Sequence, residues 1–452
     1  FYYLFTTFSK KNMNERFDIT IFGATGLTGK QVVRHLFELS IDLPKFFRPG
    51  FRWAIAGRSQ EKLEAIAQEF SERYPKATID KPSFIVANVT RREELEAMAK
   101  QSNVLINAVG PFRFMGEYVV LACVNNGCNY VDVTGEPEFV ERMQRTYHDK
   151  AVANKVTIVH SCGFDSVPTD MGVLYTKNLY TEKGWTPTQI EMFLKIHTGP
   201  SGLRGGFATF ESAVHGFGSA ELLREIRSAS TLAKLPRPDV PKLKFHKGVH
   251  KDQEFGYHVP FVFADPSIVR LSQQIFLSGL ATTEKKKPNV TLPPTTQFAA
   301  YLLLPSLWVV ILYTVYGYIF SLLAGSPWGR NLLLKHPDFF SGGIFTKEGP
   351  NDEQLNQSSF EIVLRSKGYD HAITPGTVEA PNKEIKVVVR GPEAGYVATP
   401  RIVVQCALAI LNNKKEGYVP SGVLTPSTAF WETDLIDRLR YVGITYDISN
   451  SN

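Results

Sequence analysis

Three glycines near the N-terminus have the spacing of a phosphate-binding turn. Gly23, Gly26 and Gly29 lie in FDITIFGATGLTGKQVVRHL (17–36), between an apolar run and an amphipathic run. The first permits a tight turn, the second lets the backbone approach a pyrophosphate without a Cβ, and the third allows a helix to pack closely on a sheet. Free N–H groups at the helix N-terminus would also face the phosphates. A G-x-x-G-x-x-G turn that only packs is the alternative, and the strand before it and helix after it favour a dinucleotide. The predicted phosphate-binding residues are Gly23, Thr25, Gly26, Leu27, Thr28 and Gly29.

The run WAIAGRSQEKL (53–63) indicates which dinucleotide would bind. NAD enzymes usually place Asp or Glu at the end of this strand, and neither occurs between Ala54 and Gln60. Arg58 stands there instead. Because a guanidinium fits a 2′-phosphate by charge and geometry, we predict NADP(H), bound by Arg58 with Ser59 as a second contact. An exposed loop arginine is the alternative interpretation.

Further candidate cofactor contacts follow the next predicted strands. Asn88 and Val89 are placed to flank an adenine, because ligands in such sheets bind beyond the carboxyl ends of the strands. NAVGPF (107–112) turns the chain at the same edge. We therefore predict contacts with the nicotinamide ribose from Val109, Gly110 and Pro111.

The proton donor is harder to assign. HSCGFDSVPTDMG (160–172) is the densest polar cluster in the chain, and Asp165, Ser166 and Tyr130 are the candidate catalytic residues. Each of them could instead hydrogen-bond ribose or carboxamide. His160, which ends an apolar strand, is predicted to be a core residue. The Tyr-x-x-x-Lys pair of short-chain dehydrogenases is absent from the sequence.

Composition limits the remaining classes of function. The 452 residues exceed what one hydrophobic core usually serves, so two domains are expected. A net charge of +6 is too small to indicate nucleic acid. The four cysteines include no C-x-x-C pair and have no accompanying histidine cluster, which favours a reducing, intracellular compartment and no metal. We assign no fold role to residues 1–12, because Met13 stands just before the first predicted strand.

The alternation of apolar runs with helix-period segments predicts the elements that position these residues. As far as Trp185 this pattern is typical of a parallel sheet covered on both faces, a doubly wound Rossmann fold of the α/β class. The predicted strands are 18–22, 53–56, 83–87, 104–108, 130–133 and 157–160. The predicted helices are 29–39, 61–73, 92–100, 116–125 and 137–154.

The later chain has separated strands with long connections, typical of an α+β domain. Strands are predicted at 191–196, 360–365 and 384–390, and helices at 400–411 and 434–441. We predict a Rossmann domain formed by 14–184 and 395–452, with 185–394 inserted as the second domain.

One segment of the inserted domain has no charged residue, from the residue after Lys287 to the residue before Arg330. Its core, 298–324, is apolar, and 306–324 alone would rise ~28 Å as a helix, enough to reach across a bilayer core. A buried core helix is the alternative. A single crossing would separate the inserted domain from its own later strands, whereas Pro305 and Gly317 permit a re-entrant or surface-lying helix. We therefore predict attachment to one face of a membrane or lipid droplet.

Several motifs, in this order along the chain, resemble the saccharopine dehydrogenase-like oxidoreductases. They are ITIFGATGLTG, AGRS, NAVGPF, YVDVTGE (130–136), GFDSVPTDMG and GVLTPSTAFW (422–431). The resemblance implies a Rossmann domain interrupted by an α+β domain, with the last segment returning to complete the first sheet. It also implies NADP(H) chemistry and a link to lipid metabolism, lipid droplets and organelle membranes.

The leading hypothesis is an NADP(H)-dependent oxidoreductase that transfers hydride to or from an apolar or lipid-like substrate. It would lie at the cytoplasmic face of a membrane or lipid droplet, with a mitochondrial location and a homodimer left open. A second hypothesis is a non-enzymatic nucleotide-binding scaffold on lipid droplets. A third, a saccharopine-type amino-acid dehydrogenase, would need cationic groups that converge on several carboxylates.

Overall fold

Short apolar strands, buried on both faces, form the first sheet. The computed structural model describes residues 16–217, 220–237, 240–287, 291–374 and 376–449, so the prediction for residues 1–12 lies outside the described residues. The strands are β1 (Phe17–Phe22), β2 (Trp53–Gly57), β3 (Ser83–Val86), β4 (Ser102–Asn107), β5 (Asn129–Asp132) and β6 (Thr157–Val159). The intervening helices are α1 (Leu27–Asp42), α2 (Gln60–Arg73), α3 (Arg92–Lys100), α4 (Phe112–Asn125), α5 (Pro137–Ala153) and α6 (Val167–Glu182).

The rest of the chain builds a second sheet and returns to the first. Its strands are β7 (Thr186–His197), β8 (Gly205–Gly206), β9 (His250–Asp252), β10 (Gly256–Pro260), β11 (Gln297–Leu304), β12 (Phe345–Thr346), β13 (Ser359–Tyr369), β14 (Lys383–Pro392), β15 (Gly422–Leu424) and β16 (Thr445–Ser449). Its helices are α7 (Phe207–Phe217), α8 (Ala220–Ser228), α9 (Asp265–Leu277), α10 (Leu307–Ala324), α11 (Pro327–Lys335), α12 (Pro337–Phe340), α13 (Asp352–Gln357), α14 (Thr399–Asn413), α15 (Pro426–Phe430) and α16 (Leu435–Tyr441). A 3-10 turn (Pro44–Phe46) follows α1, and a π turn (Ala394–Ala398) precedes α14.

The first sheet is parallel throughout, in the order β15-β6-β5-β4-β1-β2-β3. Helices cover both of its faces: α1, α2 and α14 on one, and α3, α4 and α5 on the other. Since β15 comes from the C-terminal part of the chain, the last segment completes the sheet. This confirms the predicted α/β class with a Rossmann sheet and a second sheet domain.

The second sheet is mixed, with the order β16-β14-β13-β7-β11-β10-β9. Its inner face packs on α6 and α9, which separate it from the first sheet. The final strand, β16, pairs with β14. The chain therefore crosses to the second sheet after β15, which differs from the prediction that all of 395–452 packs with the first.

The uncharged segment contains two elements rather than one helix. Residues Gln297–Leu304 form β11, which pairs with β7 and β10, and the helix begins only at Leu307. Pro305 separates them, and the Ser306 hydroxyl caps the helix by accepting from the Val309 amide at 3.3 Å. Residues 298–324 are apolar as predicted, but the first third of them forms a strand of the second sheet. The sequence does not distinguish the two, because a strand buried on both faces is as apolar as a membrane helix.

Helix α10 buries only a narrow stripe of its surface. The stripe consists of Val310, Phe320 and Ala324, which contact β10, β11, α7 and α11. The outer face is apolar as well, with Trp308 77% exposed and Leu312 68% exposed. A wide apolar face, on which none of the described residues packs, therefore projects from the second sheet.

Within the described residues, two helical stretches are long and apolar enough to cross a membrane by length and composition. They are Leu307–Ala324, 17% buried, and Ala394–Asn413, 67% buried. The second packs on α1 and on β4 and β5 of the first sheet, as a core helix does. Of these two stretches, α10 is therefore the one that presents its apolar surface outward.

Two helices that follow strands of the first sheet differ from the prediction. Helix α4 begins at Phe112, directly after Pro111, and not at the predicted Gly116. Helix α6 was not predicted, because it is buried on nearly all sides between the two sheets and so has no polar stripe. The end of the polar motif 160–172 consequently lies inside a helix.

Candidate functional site

The glycine turn after β1 has the geometry of a pyrophosphate cradle. Gly23 has φ +87°, and a Cβ there would lie 2.8 Å from Val109 Cγ2. A Cβ at Gly29 would overlap the Gly23 carbonyl group, with the carbonyl carbon at 2.7 Å. A Cβ at Gly26 would meet only the Gly23 oxygen, at 3.3 Å, so the outer side of Gly26 is open. The first helical hydrogen bond of α1 runs from the Lys30 amide to the Gly26 carbonyl at 2.8 Å, which leaves the amides before it directed at this opening.

We expect Gly29→Ala to destabilise the fold, because the new methyl group would force α1 away from β1. Overpacking of this kind costs ~1 to 3 kcal/mol. Urea unfolding measures the loss. Gly317→Ala in α10 is the matched control, since a Cβ there meets nothing within 4 Å, and it should be neutral or slightly stabilising. Equal stabilities for both variants would contradict this packing role of Gly29.

Arg58 and Ser59 follow β2 directly, at the same edge of the sheet. Arg58 is exposed, and no ion pair or hydrogen bond of its side chain occurs within the described part of the chain. The Ser59 hydroxyl caps α2 by accepting from the Lys62 amide at 3.4 Å. A group held near Arg58 would thus face both a guanidinium and a helix N-terminus, which suits a phosphate.

A groove of 250 Å³ opens where β3 ends, on the adenine side of this edge. The predicted Val89 lines it, whereas the Asn88 side-chain oxygen accepts from the Thr90 amide at 3.1 Å and shapes the turn. Sequence reasoning missed the other wall, which α4 supplies because it begins earlier than predicted. The lining residues are Val89, Thr90, Arg92, Phe114, Met115 and Tyr118.

The ends of β4, β5 and β6 are joined by a buried chain of hydrogen bonds. The Asn107 amide donates to the Tyr130 hydroxyl at 3.0 Å, and this hydroxyl donates to Asp132 at 2.9 Å. His160 Nδ1 lies 2.7 Å from the same Asp132 oxygen, and both side chains are fully buried. Burial raises the pKa of Tyr130 well above its usual value. The candidate Tyr130 is therefore placed inside the sheet, where it holds strand ends together.

Glu136 joins the carboxyl edge of the first sheet to helix α7. Its carboxylate accepts from the Phe112 amide at 3.0 Å, at the N-terminus of α4, and from Arg113 Nε at 2.9 Å. It also accepts from the Ser212 hydroxyl of α7 at 3.1 Å. The Arg113 guanidinium donates in turn to the His215 carbonyl of α7 at 2.8 Å. Sequence analysis gave these residues no role, although YVDVTGE ends on Glu136.

The candidates Asp165 and Ser166 lie where β6 turns into α6. Ser166 has φ +112°, which a residue with a Cβ rarely adopts, and its hydroxyl donates to Asp265 Oδ1 at 3.4 Å. Asp165 is partly buried, with Oδ2 2.9 Å from the position that a Cβ on Gly135 would take. These two residues therefore stand between the ends of β5 and β6 and the start of α9.

Asp170, from the same polar motif, serves the packing of three helices. It accepts from the Ser427 amide and from the Ser272 hydroxyl, each at 2.8 Å, and so joins α6, α9 and α15. A cavity of 10 Å³ beside it and Lys177 is large enough for about one water molecule. No group of three or more metal-ligating side chains with suitable geometry occurs among the described residues.

Comparisons with known proteins match the chain over nearly its whole length. A family model described as "Saccharopine dehydrogenase NADP binding domain" matches residues 19–159. A Homo sapiens protein named "Saccharopine dehydrogenase-like oxidoreductase" is 38% identical over 438 residues, covering 96% of this chain and 98% of that protein. A Caenorhabditis elegans "Lipid droplet localized protein" is 32% identical over 448 residues, covering 96% and 99%. An Arabidopsis thaliana protein, named "Probable mitochondrial saccharopine dehydrogenase-like oxidoreductase", is 32% identical over 454 residues, covering 96% of both chains.

Proposed function

Since this chain belongs to the saccharopine dehydrogenase-like oxidoreductase family and its first domain binds NADP(H), we propose that it transfers hydride between NADP(H) and an apolar, lipid-borne substrate. The reaction takes place at the surface of a membrane or lipid droplet. Hydride transfer requires bound NADP(H). The observation that supports cofactor binding is the open turn at Gly26, beside the N-terminus of α1.

Different residues at the carboxyl edge of the first sheet would bind different parts of the cofactor. Backbone amides at the start of α1 would hold the pyrophosphate, and Arg58 would hold the 2′-phosphate. The groove beside Val89 would receive the adenine, and the turn at Gly110 would contact the nicotinamide ribose. Bound NADPH supplies a hydride and NADP⁺ accepts one.

We expect Arg58→Glu to remove the preference for NADPH over NADH. The substitution replaces an attractive charge by a repulsive one beside the 2′-phosphate, and the preference should fall by ~1.5 to 3 kcal/mol. Calorimetric titration with both dinucleotides measures it. Arg73→Glu, at the far end of the same helix α2, is the control and should keep the preference. Equal affinity of the unmodified protein for NADPH and NADH would contradict this role of Arg58.

The outer face of α10 supports attachment to a lipid surface. Strands β11 and β13, which precede and follow α10, both pair with β7 in one sheet. A single crossing by α10 would put them on opposite sides of a bilayer, so the helix lies in one leaflet or on a droplet surface. Arg330 and Lys335 of α11 flank the apolar face, where anionic headgroups would attract them. The lipid droplet localisation in the name of the Caenorhabditis elegans relative agrees with this.

Helix α7 lies between α10, which we propose contacts lipid, and the edge of the first sheet at which the cofactor would bind. Phe210 and Val214 pack against α10 and α11, whereas Ser212 contacts Glu136 at the edge of the first sheet. The exposed apolar surface is therefore one helix away from the cofactor site. This proximity favours a substrate drawn from the lipid phase.

Incubation of the pure protein with NADPH and a lipid extract tests the enzymatic proposal. We expect NADPH absorbance to fall with the lipid fraction and to stay constant with a water-soluble metabolite fraction. Tight NADPH binding without turnover on any extract would favour the scaffold hypothesis instead. The saccharopine-type hypothesis would need cationic groups that converge on several carboxylates, whereas the groups that follow β6 include the acids Asp165 and Asp170.

A further inference from the structure

Two buried carboxyl groups at the end of β5 hold the backbone along the carboxyl edge of the first sheet. The first belongs to Asp132, the last residue of β5, which is fully buried. Its Oδ1 accepts from the Thr134 amide at 3.2 Å and from the Ser161 amide at 3.0 Å. Its Oδ2 accepts from the Tyr130 hydroxyl at 2.9 Å and lies 2.7 Å from His160 Nδ1. This carboxylate thus joins the turn after β5 to the turn after β6.

One of these contacts supports a residue in an unfavourable backbone conformation. Ser161 has φ +59° and is fully buried, although it is not glycine. Such a conformation costs ~1 to 3 kcal/mol in a residue with a Cβ and persists only where the surrounding structure fixes it. The Asp132 carboxylate accepts from the Ser161 amide, and the Asp132 carbonyl accepts from the Cys162 amide at 2.7 Å. The course of the chain after β6 therefore depends on Asp132.

The loop after β4, residues 108–111, is held at both of its ends by the same stretch of chain. At its start, the Asn107 side chain donates to the Tyr130 hydroxyl at 3.0 Å and accepts from the Val109 amide at 3.0 Å. At its end, the second buried carboxylate, that of Glu136, accepts from the first two amides of α4 at 3.0 and 3.2 Å. The acid that ends β5 therefore reaches the loop through Tyr130, and Glu136 fixes its far end directly.

The middle of this loop has polar groups that the protein itself does not bind. No hydrogen bond of the Gly110 amide or of the Val109 carbonyl occurs within the described part of the chain. Both residues are only partly buried. The loop also lies beside the glycine turn, since Val109 Cγ2 is 2.8 Å from the position that a Cβ on Gly23 would take. A loop that is already fixed can bind a ligand through such groups with little further loss of conformational entropy.

The sheet order places this loop on the nicotinamide side of the site. With the pyrophosphate at the start of α1, a dinucleotide would extend along the carboxyl ends of the strands in both directions. The adenine half would lie over β2 and β3, where Arg58 and the groove at Val89 are found. The other half would lie over β4, β5 and β6, whose ends the two carboxyl groups join.

We propose that Asp132 and Glu136 are positioning residues for the nicotinamide half of the cofactor, because their hydrogen bonds fix the loop 108–111 in the conformation that receives the nicotinamide ribose. This inference rests on the proposed function. Neither carboxyl group contacts the cofactor. Each acts through the loop, so that the Gly110 amide and the Val109 carbonyl keep a fixed direction toward the ribose. Loss of either acid should weaken the contacts with the nicotinamide half alone.

A comparison of two ligands tests the inference without a substrate. NADPH occupies both halves of the site, whereas adenosine 2′,5′-bisphosphate has the adenine and the 2′-phosphate but no nicotinamide. The ratio of the two affinities, measured by calorimetric titration, therefore reports the nicotinamide half. We expect the parent to bind NADPH more tightly than the bisphosphate. Asp132→Asn and Glu136→Gln should each lower the ratio about ten-fold, the effect of one lost hydrogen bond to a charged group, with the affinity for the bisphosphate unchanged.

These substitutions keep the size of each side chain but place an N–H₂ group against other donors. Tyr130→Phe is a milder second variant, because it removes only the hydroxyl between Asn107 and Asp132, and it should lower the ratio as well. Asp18→Asn is the matched control. This buried carboxylate also accepts hydrogen bonds, of 2.9 Å each, but at the amino end of β1, on the opposite edge of the same sheet. The control should lose stability in urea unfolding and keep the ratio of the parent.

Each outcome decides one part of the inference. A ratio that stays as in the parent in both Glu136→Gln and Tyr130→Phe would overturn it, as would equal losses of affinity for both ligands in variants that remain folded. A fall confined to Glu136→Gln would overturn the role of Asp132 alone. A parent that binds NADPH no more tightly than the bisphosphate would also overturn the inference. Failure of the parent to bind either ligand would instead contradict the proposed function.

Discussion

Replacement of Gly26 by valine is expected to weaken NADPH binding about 100-fold or more, ~2.7 kcal/mol, while the chain stays folded. Gly26 has φ −80°, which valine adopts readily, and a Cβ there meets only one oxygen, at 3.3 Å. The added methyl groups would instead fill the open space in front of the α1 amides, which the pyrophosphate needs. Calorimetric titration measures the affinity, and circular dichroism and thermal unfolding report the fold.

A matched control is available at Gly248, in the loop before β9. A Cβ there meets nothing within 4 Å, so Gly248→Val adds the same groups far from the cleft and should leave NADPH affinity unchanged. Undiminished binding in Gly26→Val would show that the turn serves packing only. Loss of the folded state would show that the added groups meet protein rather than cofactor.

The second large effect concerns the lipid surface. Changing Trp308, Leu312 and Leu322 to serine together should reduce flotation with phospholipid vesicles on the order of 1,000-fold or more, since each buried side chain of this kind contributes ~1.5 to 3 kcal/mol. All three are more than half exposed on the outer face of α10, so the fold and NADPH affinity should not change. Removal of the whole segment 298–324 would be a poor test, because it would also delete β11 from the second sheet.

The control variant changes three other exposed aliphatic residues, Val152, Val378 and Ile448, to serine. They lie on α5, in the β13–β14 connection and on β16, away from α10, and flotation should be as in the parent. Unchanged flotation in the α10 variant would show that the helix does not bind lipid. If that variant instead converts a dimer into a monomer in size-exclusion chromatography, the apolar face is covered by a second copy of the chain.

The first sheet was predictable because its strands and helices alternate with clear periods. Helix α6 and strand β11 were not, for a shared physical reason. Helix α6 is buried on nearly all sides and β11 has no exposed residue, so neither sequence carries the 3.6-residue or two-residue period that amphipathic elements show. Propensity alone does not distinguish a buried strand such as β11 from the start of an apolar helix.

The residues of the candidate site could also be predicted only in part from the sequence. Gly23, Gly26 and Arg58 belong to local motifs, so their positions follow from the order of strand, turn and helix. The contacts of Glu136 with Ser212 and of Ser166 with Asp265 join residues 76 and 99 positions apart. No local pattern marks such pairs, because only the packing of the second sheet region on the first brings them together.

The placement of β11 and β13 on either side of β7 makes residues 305–358, which include α10, excisable. Leu304 and Ser359 lie at the same end of the sheet, two strand spacings apart, or about 10 Å. A bridge of about five residues covers that distance in an extended conformation. Phe210 and Val214 of α7 would lose their cover and need polar replacements. The outcome would be a water-soluble core, suited to crystallisation with the cofactor, in which redox chemistry can be assayed without detergent.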